Sequence, residues 1–163
     1  MAMVWEQGEL FAEASKEEIK QTEFYLGKYK LMTLFMSDYE NYQREMAQVA
    51  IDGEVARRID QTDLHADKTA NATILDEKQK WVYNQYRKFR FMINRAHSQI
   101  IDPEVKEAID IRFIQGYSRK ETILFMRRGT AHSTVDRRIA EGIKSIANTL
   151  KVMGFFEEIH RKF

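Results

Sequence analysis

Four arginines, Arg127, Arg128, Arg137 and Arg138, fall within twelve residues of the stretch GYSRKETILFMRRGTAHSTVDRRI, residues 116–139. A guanidinium is a permanent cation with a planar fork of donors. It fits the oxygens of a phosphate or the two acceptors on a guanine edge. Arg119 precedes the cluster, and His132, Ser133, Thr134 and Lys144 add short polar and cationic groups around it. Residues 111–151 hold nine Lys/Arg against three acids, a local +6; the whole chain is +1, so the remainder is −5. A basic segment on an acidic chain is the distribution expected where one face meets a polyanion. A solvated helix surface has the same composition, so the secondary structure that carries the arginines decides between the two.

That structure is marked by caps and breakers. Asp102-Pro103 starts a helix that runs to about Gln115, with Val105, Ala108, Ile109 and Phe113 inward, and Gly116 ends it. Ser118 and Glu121 form a capping box for a short helix through about Arg127, with Ile123 and Met126 inward. Gly129 interrupts the chain, and Ser133 with Asp136 caps the last long helix. Val135, Ile139, Ile143, Ile146 and Leu150 make its buried stripe, so its opposite face displays Thr134, Arg137, Arg138, Glu141 and Lys144. The segment RRGTAHS leaves two starting points for this helix, Thr130 or Ser133. A short second helix joined through a glycine turn to a capped third is the helix-turn-helix pattern. In it Arg119, Arg127 and Arg128 are expected on backbone phosphates, His132 in the turn or on a phosphate, and Arg137 with Thr134 at base edges.

The N-terminal half is expected to supply two long helices. Ser15 and Glu18 make a capping box, and Tyr25, Tyr29, Met32, Met36, Tyr39, Gln43, Met46 and Ala50 succeed it at alternating steps of four and three. Gly27 and Ser37-Asp38 are weak points in that helix. Residues 52–71 are polar and predict a loop or short helix, with Thr69 or Asn71 capping the second long helix. A second stripe comprises Leu75, Val82, Tyr86, Phe89, Ile93, Ala96 and Ile100. Trp81, Tyr83 and Phe91 lie off it and need a second packing surface, the C-terminal unit or another subunit. Phe155, Phe156, Ile159 and Phe163 predict one more amphipathic turn or two at the end. The expected architecture is all-α: a long N-terminal helical pair, residues 1–101, for oligomerisation or partner binding, then a three-helix DNA-binding unit, residues 102–163.

Other chemistry finds little support. Cysteine is absent, which excludes disulfides and thiolate metal sites and fits a reducing, cytoplasmic setting. No apolar run has the length of a membrane span, and the first residues lack the basic region of a secretory leader. His65, His97, His132 and His160 stand apart from one another and from acids at metal-binding spacing. There is no glycine-rich phosphate loop or nucleophile elbow, so neither an enzyme nor a cofactor is expected.

The pieces IRFIQGYSRKETI and STVDRRIAEGIKSIANTL resemble the C-terminal helix-turn-helix of region 4 of bacterial sigma factors. In particular they are similar to phage and prophage late-gene regulators of the ArpU and RinA type. The likeness covers roughly residues 105–150; residues before it agree only in being helical. The resemblance implies a sequence-specific activator of late packaging or lysis genes in a bacterial host. Its partner would be promoter DNA; separately, the broad Tyr and Met stripes of the N-terminal helices suit a subunit interface of a homodimer or contact with RNA polymerase, and no membrane partner is expected. A small terminase subunit recognising packaging-site DNA and a helical protein-interaction module are the alternatives.

Overall fold

The computed structural model describes residues 10–57, 66–126 and 129–162. Among these the chain is all-α, as expected, with no strand. The helices are α1 (Lys16–Gly27), α2 (Tyr29–Arg57), α3 (Ala66–Ser98), α4 (Pro103–Ile109), α5 (Arg119–Met126), α6 (His132–Val152) and α7 (Phe155–Lys162). Asp110–Ile114 continues α4 as a wider π turn. Two compact units result. One joins the stretch up to Lys30 with Phe89 onward; the other is Leu31–Lys88. The boundary expected between residues 101 and 102 falls inside the first unit.

The caps of α1 and α4 form where the sequence places them. Ser15 Oγ accepts from Glu18 N at 3.2 Å while Glu18 Oε1 accepts from Ser15 N at 3.1 Å. Asp102 Oδ1 accepts from Glu104 N at 2.9 Å, with Pro103 in the first turn. Gly27 is the weak point that gives way: the expected first helix is two, broken at Lys28. Of the expected loop or short helix over residues 52–71, residues 58–65 lie outside the described residues. Helix covers both ends of that range, and Thr69 and Asn71 lie inside α3 rather than at its cap. Ala66, Lys68 and Ala70 beside Thr69 and Asn71 favour helix, so the helix begins before both candidate caps.

In the first unit α1 lies on α6. Ala14 N donates to Asn148 Oδ1 at 2.8 Å, and Lys151 Nζ donates to Glu13 O at 3.1 Å and Glu18 Oε1 at 3.0 Å. Tyr25, Phe89 and Phe155 meet with ring centroids 5.4–5.6 Å apart. Phe155, Phe156 and Ile159 of α7 are buried, as the tail's pattern predicts, and Phe163 lies outside the described residues. In α6, Val135, Ile143, Ile146 and Leu150 are buried and Ile139 is half-buried. α4 approaches α6 closely at Gly142. A methyl group there would come within 2.6 Å of Ile109 Cδ1 and 3.3 Å of Val105 Cγ1.

The second unit pairs α2 with α3 in opposite directions. Phe35 meets Tyr86 at 5.4 Å, Tyr39 stacks on Tyr83 at 4.7 Å, and Gln43 Nε2 donates to Asp76 Oδ1 at 2.9 Å. Met32, Met36 and Tyr39 of the first stripe are buried, whereas Met46 is exposed. Tyr83 finds its packing surface here, with its hydroxyl donating to Glu40 Oε1 at 2.7 Å. Trp81 does not find one and remains exposed; Phe91, in the first unit, is exposed too, beneath the Arg95 guanidinium.

Candidate nucleic-acid interface

α4, α5 and α6 share a small core of Ala108, Ile111, Ile123, Met126 and Val135, with Ile139 against its edge. That core sets the presentation of α6. α5 begins with the expected box: Ser118 N donates to Glu121 Oε2 at 2.7 Å and Glu121 N to Ser118 Oγ at 3.2 Å. Hydrogen bonding to its carboxyl from Ser118, from the backbone first and then from the side chain, holds Glu121 below its usual range. Gly116 and Gly129 carry φ of +79° and +78°, the left-handed backbone that closes α4 and turns the chain towards α6.

The start of α6 is a further correction. Its first helical residue is His132 and its N-cap is Ala131, which has no side-chain cap bond. The Ser133–Asp136 box does not form, because the Asp136 carboxylate is engaged elsewhere. Arg119 Nε donates to its Oδ1 at 2.7 Å and Arg119 Nη2 to its Oδ2 at 2.5 Å. This fork tethers the start of α5 to the start of α6. It holds the Asp136 carboxyl below the ordinary range and raises the Arg119 guanidinium above its own. Two such parallel bonds are the strong form of the pair.

The other expected contact residues divide by what already binds them. The Arg138 guanidinium bonds Glu104 of α4, and its side chain is only 17% exposed. Arg137 points outward, 70% exposed, with Glu141 Oε1 one turn along at 3.8 Å. His132, Ser133 and Lys144 are exposed and Thr134 is half-buried. Arg127 and Arg128 lie outside the described residues. The structure therefore brings His132, Ser133, Arg137 and Lys144 to the surface of one helix, and sets Arg119 and Arg138 in ion pairs that hold α5 and α4 to it. Those pairings span 17 and 34 positions and leave no trace in local spacing.

Beside this face an open groove of about 320 Å³ runs between α1 and α6, with Ile19, Phe113 and Ile143 along its wall and Arg119 and Asp136 at its rim. No group of three or more His, Cys, Asp or Glu among the described residues is placed to hold a metal ion. No helix among them is long and apolar enough to cross a membrane. Comparison with family models, with curated proteins and with solved structures finds no match to this chain.

Proposed function

We propose that the chain binds double-stranded DNA through the outer side of α6 and regulates transcription where it binds, as a phage or prophage late-gene regulator with a sigma region 4-like helix-turn-helix. In this reading α5 and α6 are the two helices of the motif, and α6 lies in the major groove. One observation carries it: α6 buries Val135, Ile143 and Ile146 on one side and leaves Ser133, Arg137 and Lys144 exposed on the other. Arg137 is the side chain for a guanine edge, since its guanidinium is the outermost of the described arginines on this helix. Lys144, two turns further along, is suited to a phosphate. The first turn of α6 lacks a side-chain cap, so its amides and the helix dipole favour a phosphate beside His132 and Ser133. Arg119 and Arg138 act by fixing the recognition helix against its neighbours.

The test is binding to promoter fragments and to random duplex of equal length at two salt concentrations. The expected result is a subset of fragments bound more tightly than random duplex, with log K falling by roughly 0.9 per neutralised phosphate for each unit of log salt. Equal, weak affinity for every duplex would refute sequence-specific regulation.

A further inference from the structure

A pocket of about 330 Å³ opens between α4, its π turn and α5. Its described lining is Glu107, Asp110, Ile111, Gln115, Tyr117 and Phe125, and holds no lysine or arginine. Two of these residues are aromatic. The Tyr117 and Phe125 rings meet with centroids 4.8 Å apart at 57°, and the two residues are 38% and 58% exposed. Two are carboxylates, and neither Glu107 nor Asp110 makes an ion pair with a described residue. Glu18, Glu104 and Asp136, in the same compact unit, each hold a Lys or Arg. The π turn sets the second carboxylate in place. Gln115 N donates to Asp110 O at 2.8 Å, and Gln115 Nε2 donates to Asp110 Oδ2 at 2.5 Å. Asp110 Oδ1 accepts from no described residue. Gly116, at φ +79°, then turns the chain so that Tyr117 N donates to Ile111 O at 3.1 Å, which brings the Tyr117 ring back beside the π turn. The cations nearby are committed elsewhere. Arg112 Nη1 donates to Tyr117 O at 3.0 Å, its guanidinium lies over the Phe113 ring, and it lines the α1–α6 groove. The Lys30 stem packs on Gly116, and its charge acts on Glu121.

Ring faces and unpaired carboxylates attract the same kind of group. The π electrons of a ring draw a cation towards its face, more strongly as water is excluded. A carboxylate with one oxygen already held is a fixed acceptor for the N–H of an ammonium or guanidinium, and such charge-assisted bonds are the strong ones. Ile111, buried at the floor, suits the carbon stem that carries the charge. Other ligand classes fit less well. An anion would meet two carboxylates. A neutral apolar ligand would strip water from both carboxylates and leave them unpaired, which costs more than ring contact offsets. A metal ion lacks a third acidic, histidine or cysteine ligand among the described residues.

We propose that the α4–α5 pocket binds an organic cation, an alkylammonium or guanidinium group held by Asp110 Oδ1 and Glu107 against the Tyr117 and Phe125 rings. The proposal does not depend on DNA binding. A free metabolite and a lysine or arginine side chain of another protein share this chemistry, so the test has two arms. Argininamide and the tripeptide acetyl-Ala-Arg-Ala-amide are titrated into the full-length chain, with the Tyr117 and Phe125 ring signals followed by aromatic proton–carbon NMR. Both probes are expected to shift these signals and to saturate. A tighter tripeptide assigns the pocket to a partner protein, and equal affinities assign it to a free cation. Citrulline amide, which keeps the shape and loses the charge, is expected to leave the signals in place. D110N is expected to weaken argininamide roughly tenfold. F125L is expected to weaken it about threefold. Because Asp110 also holds Gln115, E107Q serves as a second variant that leaves the π turn untouched, and it too is expected to bind argininamide more weakly. Argininamide that moves neither ring signal overturns the proposal. So does citrulline amide binding as tightly as argininamide, or full argininamide affinity in E107Q and D110N. The wild-type titrations decide the matter however D110N folds.

Discussion

Arg137 and Arg138 are adjacent in sequence and opposite in circumstance. Arg137 is solvated, with a carboxylate no nearer than 3.8 Å, while Arg138 is largely covered and bonded to Glu104 of α4. Arg137→Ala is therefore expected to leave the thermal midpoint nearly unchanged, within about 0.5 kcal/mol of stability. On the proposed function it weakens DNA binding and relaxes preference at one base position. Arg138→Ala is expected to lower stability measurably, since it leaves Glu104 without its partner and removes packing of the guanidinium stem. Equal stability loss from both substitutions would contradict the placement of the two side chains. Gly142 gives a test of packing alone. Alanine is the better helix former by about 1 kcal/mol, yet its methyl would collide with the fully buried Ile109. Gly142→Ala is expected to destabilise by about 1–3 kcal/mol in denaturant unfolding, because the α4–α6 contact cannot open without disturbing Val105 as well. A neutral or stabilising result would mean that α4 sits further from α6. The buried stripe of α6 was legible from residue spacing, whereas Gly142 was not. A glycine within a helix reads as a weakness until the neighbour that needs its missing side chain is known.

Individual helices were legible to the extent that their ends are local. Ser15 with Glu18, Asp102 with Glu104, and Ser118 with Glu121 bond over two or three positions, and each is where the sequence puts it. The start of α6 was not, since Asp136 had a suitable serine three residues before it and a better partner, Arg119, 17 residues before it. Three carboxylates of this kind make helix attachment sensitive to acid. Burial pushes the Glu18 carboxyl up, but hydrogen bonds from Lys151 and Ser15 outweigh it, and its net position is below the ordinary range. Glu121 and Asp136 are lowered too, by the Ser118 bonds and the Arg119 fork. A folded value below the unfolded one means stability that is present above the ordinary carboxylate range, about 4, and lost as pH falls through the lowered values. The thermal midpoint is thus expected to drop between roughly pH 5 and pH 3, with a shallower drop in Glu18→Gln. A midpoint that is flat or rising over that interval would show that these ties are absent in solution.

At the scale of the whole molecule, both proposed sites lie in the first compact unit, α6 for a duplex and the α4–α5 pocket for a cation, and the second unit carries neither. Oligomeric order separates a regulator from a small terminase subunit. A terminase ring needs a head-to-tail contact and high order, whereas a regulator reads DNA as a monomer or as a twofold dimer. Light scattering on the full chain is expected to give a monomer or a dimer, and a ring would favour the packaging reading. A twofold dimer carries two recognition helices and reads two half-sites in inverted orientation. Footprinting on a bound fragment is accordingly expected to show a single half-site for a monomer and an inverted repeat for a dimer. Arg137→Ala should weaken that protection and leave the order unchanged; a change in order would place Arg137 in a subunit contact rather than on an open face. Asp110→Asn should weaken cation binding and leave the footprint as it is. The two readings fail separately. A footprint without cation binding removes the pocket alone, and cation binding without a footprint removes α6 alone as a reader of DNA.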